Sequence, residues 1–256
     1  MKNLRRLRYW IAKKRKEIIS GKITDDFNWQ FYNMRYRDEL EDISKIHTLI
    51  LQSDDYVFKN DSLIKARNSI LPLHPNHRLL YETIIQLGPH SLLELGCGGG
   101  DHLHNINVLS PETKLYGYEY SDKQLLLFKE RHPDFSGDIK QFDCTLPFPT
   151  DIPKVDIAYT QAVLMHIQTG NGHLVALSNL FRASSRQVIL MENWTRHAFM
   201  EDISKLFSLR IIPWSEIYFH YRESEELKKP HLMVVSSMPL KEYPVLTDYG
   251  VLFDNV

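Results

Sequence analysis

The stretch Ser91-Leu-Leu-Glu-Leu-Gly-Cys-Gly-Gly-Gly-Asp101 places glycines at 96, 98 and 100 behind an apolar run that carries an acid, Glu94. Glycine lets the backbone turn tightly and approach a ligand with no β-carbon in between, so the spacing predicts a strand, a ligand-cradling loop and a helix beginning around Gly100. A dinucleotide loop needs G-x-G-x-x-G. Counted from Gly96, the third glycine position holds Asp101, and that pattern fails. The next apolar run, Leu115–Glu119, ends in an acid about 20 residues beyond the glycines, where a carboxylate can accept both hydroxyls of a ribose. A third acid, Asp143, closes the run after that. Two of these have a plain structural alternative: a loop that is glycine-rich only for packing, and Asp143 as the cap of the loop that follows it. Acids at the ends of three successive strands argue for one shared ligand more strongly than any of them alone.

A second group of residues could act on whatever that ligand carries. The run Val155–Tyr159 leads into Thr160-Gln161-Ala-Val-Leu-Met-His166. A histidine titrates near neutrality and suits removal of a proton from a hydroxyl, although in such a turn it can equally bond the backbone. Further on, Ile189-Leu-Met-Glu192-Asn193-Trp194-Thr195-Arg196-His197 brings polar and aromatic groups to the carboxyl edge of a strand, where open α/β sheets bind ligands. Glu192, Asn193, Trp194 and His197 are therefore expected in a substrate pocket, and Thr195 is expected either there or as a helix cap.

These residues need a scaffold. From Ser91 onward short apolar runs (SLLEL, KLYGYEY, DIKQF, VDIAYT, RQVILME, IYFHY, HLMVVSS) alternate with segments of helical periodicity, which predicts a parallel sheet built from βαβ units. Before it, residues 37–52 carry a helical stripe with acids in the first turn, and Asn76 is placed to cap a helix running to about Leu87. Residues 1–22 form a dense basic segment with apolar residues at helical spacing. A basic amphipathic helix is expected there, either packed on the protein or lying on a membrane surface. Domains are expected at 1–76, a helical extension, and 77–256, the ligand-binding domain.

The spacing E-x-G-x-G-x-G resembles motif I of class I S-adenosylmethionine-dependent methyltransferases, and the resemblance spans about residues 77–240. It implies an α/β fold, a doubly wound, mostly parallel seven-stranded sheet of the Rossmann-like kind, and S-adenosyl-L-methionine as cofactor. By this resemblance Glu94 holds the methionine end, and Gly96, Cys97, Gly98 and Gly100 form the loop beneath the cofactor. Glu119 binds the ribose, Tyr120 lies against the adenine, and Asp143 with the backbone of Cys144 reads the adenine edge. Gln161 is placed near the methionine moiety, with His166 at the rim of the methyl-transfer chamber. No metal ligands are assignable.

Composition narrows the partners. Among 256 residues the formal net charge is −1, which gives no global attraction to nucleic acid or membrane. The stretch after the fourth core strand lacks the N/D-P-P-aromatic motif of amino-methylating nucleic-acid enzymes, and neither Cys97 nor Cys144 follows a proline, as a cytosine-methylating nucleophile would. A small-molecule or glycan acceptor is expected, with no nucleic acid. The long basic N-terminus resembles those of bacterial envelope-polysaccharide enzymes and points to sugar O-methylation. A soluble metabolite as acceptor and a catalytically idle binding subunit are the alternatives. Two cysteines without paired spacing, no apolar run near the roughly 18 residues of a membrane span and no signal peptide predict a cytoplasmic protein, at the inner face of the membrane if residues 1–22 take the second of their two readings. Oligomeric state is not read from the sequence.

Overall fold

The computed structural model describes residues 48–148, 152–168, 170–224 and 229–252. The basic helix expected over 1–22 and most of the one expected over 37–52 lie outside these residues. Where the second becomes visible it is corrected. Residues 48–52 are not helical, because their backbone is claimed by a distant side chain. Asn105 Oδ1 accepts from Leu51 N at 2.8 Å, and its Nδ2 donates to Leu49 O at 2.7 Å.

A hairpin follows that the sequence reading lacked: β1 (Tyr56–Lys59) pairs antiparallel with β2 (Ser62–Lys65). The turn residues Asn60 and Asp61 both have positive φ, 51° and 60°, as a tight two-residue hairpin requires. Helix α1 (Pro75–Leu87) ends at Gly88 as expected. Its N-cap is His74, not Asn76: His74 Nδ1 accepts from Asn76 N at 3.2 Å, and proline occupies the first helical position.

The core alternates as predicted: β3 (Ser91–Leu95), α2 (Asp101–Leu109), β4 (Lys114–Glu119), α3 (Asp122–Arg131), β5 (Asp138–Gln141), β6 (Val155–Gln161), α4 (Gly172–Ala183), β7 (Ser184–Met191), α5 (Phe199–Ser208), β8 (Tyr218–Ser224) and β9 (Lys229–Ser236). Ser121 caps α3, its Oγ accepting from Gln124 N. Thr195 is not the N-cap of α5, a position that Ala198 holds. Helix α5 begins four residues later, and Thr195 instead donates to Asn193 Oδ1.

The seven strands run in the order β5-β4-β3-β6-β7-β9-β8, parallel from β5 through β7 and antiparallel at β9 and β8. This is the doubly wound, mostly parallel sheet expected. Runs such as Leu92-Leu93 and Val188–Leu190 are buried on both faces because helices cover both. One apolar cluster joins the sheet to α4 and α5, and a second joins it to α1, α2 and Phe128 of α3. Strand order reverses between β3 and β6, so the connections from β3 and β6 diverge and open a crevice at the carboxyl ends, the position where such sheets bind ligands. Among the described residues no helix is long and apolar enough to cross a membrane.

Candidate functional site

The glycine loop leaves β3 at Leu95 and folds back on β4. Gly96 N and Cys97 N both donate to Tyr118 O, at 2.7 and 3.1 Å. Gly98 N donates to Glu119 Oε2 at 2.9 Å, and Gly100 N to Cys97 O at 2.9 Å. Two glycines do different work. Gly96, at φ 80°, lies against Val163, and a β-carbon there would sit 2.5 Å from Val163 Cγ2. Gly98, at φ 52°, faces open space, where a β-carbon would meet only Gln124 Oε1 at 3.8 Å. Gly100 is the left-handed N-cap of α2. Cys97 is buried, with its sulfur turned toward Gly117 on the sheet, and burial pushes its thiol pKa well up.

The carboxylates converge on this loop. Glu94 is buried beside Tyr159, its register partner on β6, whose hydroxyl faces the carboxylate without a well-formed hydrogen bond; Oε2 has no partner. Burial, with Glu119 and Asp101 nearby, pushes Glu94 up to about 8. Glu119 is buried, and each of its oxygens accepts one backbone amide, Gly98 N at Oε2 and Ser121 N at Oε1. Burial raises its pKa too. Asp101, which displaces the third glycine of a dinucleotide loop, is tied to the far end of α3 by Arg131 Nη1 at 2.7 Å and His132 Nε2 at 2.8 Å.

The expected adenine-side residues sit at the ends of β4 and β5. Tyr120 is 59% exposed, at the mouth of the crevice. Asp143 Oδ1 accepts from both the backbone and the hydroxyl of Thr145, so it does shape its own loop. The Cys144 carbonyl accepts from Asn179 of α4, and burial pushes its thiol to about 12. Asp156 accepts from His90 N and Ser91 N, a tie between two strand starts that supports the fold.

On the other side of the crevice β6 ends at Gln161, and the chain turns through Ala162, a left-handed non-glycine residue at φ 55°, into a short 3₁₀ turn, Leu164–His166. His166 is half-buried, and burial together with the Arg196 charge lowers its pKa. Two substrate-pocket expectations are corrected here. Glu192 is buried and turned inward, its oxygens accepting from Val163 N, Leu164 N, Met165 N and Thr160 Oγ1 at 3.0–3.2 Å. Trp194 is buried in the core against Phe199, because the chain bends after β7 and the strand's alternation no longer sets direction. Asn193 is exposed, and its Oδ1 is engaged by Thr195. His197 is half-buried, with Nε2 3.0 Å from Leu164 O and its ring stacked on His173.

The residues present fit an adenosine joined to a cationic amino acid. Glu94 offers an unpartnered buried oxygen, Glu119 is a buried carboxylate at the end of β4 beside it, and Gly98 leaves the surface above it open. The two acids suit a ligand rich in hydroxyl and ammonium donors, and Gly98 leaves room for it.

Residues 93–189 match the family model of a methyltransferase domain. A search of curated proteins by sequence gave no match. Among solved structures, the chain resembles the S-adenosylmethionine-bound amino pentose methyltransferase CalS10 of Micromonospora echinaspora (14% identity, 64% of this chain and 91% of that one, TM-score 0.51). It also resembles the methyltransferase domain of a bacterial CtHen1 (15% identity, 64% and 98%, TM-score 0.50). Against DesVI of Streptomyces venezuelae it matches over 46% of its own length and spans half of that chain, at 19% identity and a TM-score of 0.40. Residues 93–189 thus match a methyltransferase-domain model, and they lie on a sheet of the Rossmann-like kind that the chain shares with these structures.

Proposed function

We propose that this methyltransferase acts on a hydroxyl of a sugar or envelope glycan, with His166 as the base that takes the acceptor's proton. The observation that carries the reading is the place of His166, on the turn after β6 whose Val163 touches Gly96 of the cofactor loop, with burial lowering its pKa. The cofactor supplies an electrophilic methyl on a cationic sulfur, so the protein's part is alignment and removal of one proton. Glu94 serves the cationic end, Glu119 the ribose, Tyr120 and the Asp143–Cys144 step the base. Cys97 and Gln161 complete the floor and the methionine side.

The acceptor class rests on the character of the rim. Asn193, Arg196 and Gln168 are exposed polar groups near the His166 turn, suited to a hydroxyl-rich molecule. A fold shared with an amino pentose methyltransferase is consistent with that class.

The test has two arms. Calorimetry with S-adenosylhomocysteine should give micromolar binding to the wild type and none to Glu119→Ala. Transfer of a labelled methyl group to nucleotide sugars and short glycans should then be lost in His166→Ala while cofactor affinity is retained. Binding without transfer to any sugar hydroxyl would redirect the reading to other metabolites. Absence of cofactor binding to folded wild type would sink it.

A further inference from the structure

The buried carboxyl group of Glu192 gathers three consecutive backbone amides at the crevice. It lies one residue past the end of β7, opposite the end of β6, where Gln161 and Met191 are register partners. Three consecutive amides, of Val163, Leu164 and Met165, point at its two oxygens, and Thr160 Oγ1 adds a fourth donor. The segment it grips departs from low-energy backbone, since Ala162 just before it is left-handed without being glycine. His197 holds the same segment from the other side through Leu164 O, and His197 is itself braced by stacking on His173, which pairs with Asp202 at 3.5 Å.

A strand end can be closed by apolar packing. Burying a carboxyl group there is costly unless its oxygens are hydrogen-bonded, and the groups that bond them are chiefly the amides of one short turn. We infer that Glu192 is a positioning residue: its carboxylate fixes the 163–166 turn, and so sets where the His166 imidazole stands relative to the cofactor loop that Val163 touches. This rests on the reading of His166 as the base. It does not make Glu192 a contact of either substrate.

The experiment is a histidine NMR titration of ligand-free full-length protein, with His166 assigned by loss of its signal in His166→Gln. In Glu192→Gln the amide nitrogen opposes the turn's donors, and the His166 midpoint should move back toward that of an ordinary histidine by about half a unit as the turn loosens. In the same variant, affinity for S-adenosylhomocysteine should fall by about fivefold, transmitted through Val163 to Gly96. Thr160→Val removes only one donor and should shift His166 in the same direction by less, which decides the matter if Glu192→Gln does not fold. A folded variant of either kind with an unmoved His166 midpoint overturns the inference. If the wild type binds no S-adenosylhomocysteine, the proposed function fails while the titration still decides the role of Glu192.

Discussion

Val163 rests on the α-carbon of Gly96, so closely that the space a β-carbon of residue 96 would take is already filled by a methyl group. The loop under the cofactor and the turn bearing His166 are thereby one packed unit, although they lie on different strands.

Gly96→Ala should therefore damage the fold. It combines a left-handed alanine with a steric conflict against Val163, and should cost about 3 kcal/mol in chemical unfolding. Gly98→Ala meets no such neighbour and should cost about 1 kcal/mol from its backbone angle alone. The second variant should nonetheless lose most of its affinity for S-adenosylhomocysteine, because its new methyl group projects into the open side of the loop. Equal stability losses in the two variants would contradict this division of labour.

Stability should fall as pH rises from about 5 to above 8. Glu94 and Glu192 sit near 8 and 7 in the folded protein, against 4.5 for an ordinary glutamate, because burial disfavours their charged forms. The folded state thus holds protons that the unfolded state has released, and its advantage, complete below the unfolded value, is lost as pH climbs through the folded ones. His104 and His166, lowered by burial, act in the opposite sense below their ordinary 6.5. Thermal unfolding should show a higher Tm at pH 6.5 than at pH 8.5, with the difference reduced in Glu94→Gln; an unchanged difference would show that Glu94 titrates normally.

Cofactor charge should register on the same group. S-Adenosylmethionine carries a sulfonium charge that S-adenosylhomocysteine lacks, and a cation near Glu94 favours its ionised form. Calorimetry at pH 7 in two buffers of different ionisation enthalpy should show more proton release with the methionine form. In Glu94→Gln the two ligands should release protons equally.

Asn105→Ala should detach residues 48–52. The side chain bonds Leu49 O, Leu51 N and Tyr81 Oη, all within 2.9 Å and largely out of water. Losing them should cost about 3 kcal/mol and leave Leu51 N in fast hydrogen exchange. Slow exchange at Leu51 in the folded variant would mean that His104, 3.0 Å from Leu51 O, holds the segment by itself.

The alternating core was legible because each strand from Ser91 onward is a short apolar run and each intervening helix keeps its own period. Glu94 and Glu119 could be placed at strand ends for the same reason. What lay beyond that periodicity was not legible. The stripe at 37–52 reads as helix locally, but Asn105, more than fifty residues away, takes the backbone of its last part. The hairpin was missed although Asn60-Asp61 between YVFK and SLIK carried a usable turn signal. Glu192 and Trp194 were placed near the right edge yet facing the wrong way, since past Met191 the direction of a side chain follows the bend of the chain.

The hydrogen bonds of the glycine loop bear on which ligands it refuses. In loops that hold pyrophosphate, free amides aim at the anion. Here the amides of Gly96, Cys97, Gly98 and Gly100 are all occupied by Tyr118 O, Glu119 and Cys97 O. A nicotinamide dinucleotide entering the crevice would bring two phosphates to a loop with no donor to offer at these positions and with Glu119 alongside. These four amides therefore add nothing to the binding of an anionic nucleotide, and a glycine at position 101 would leave them occupied.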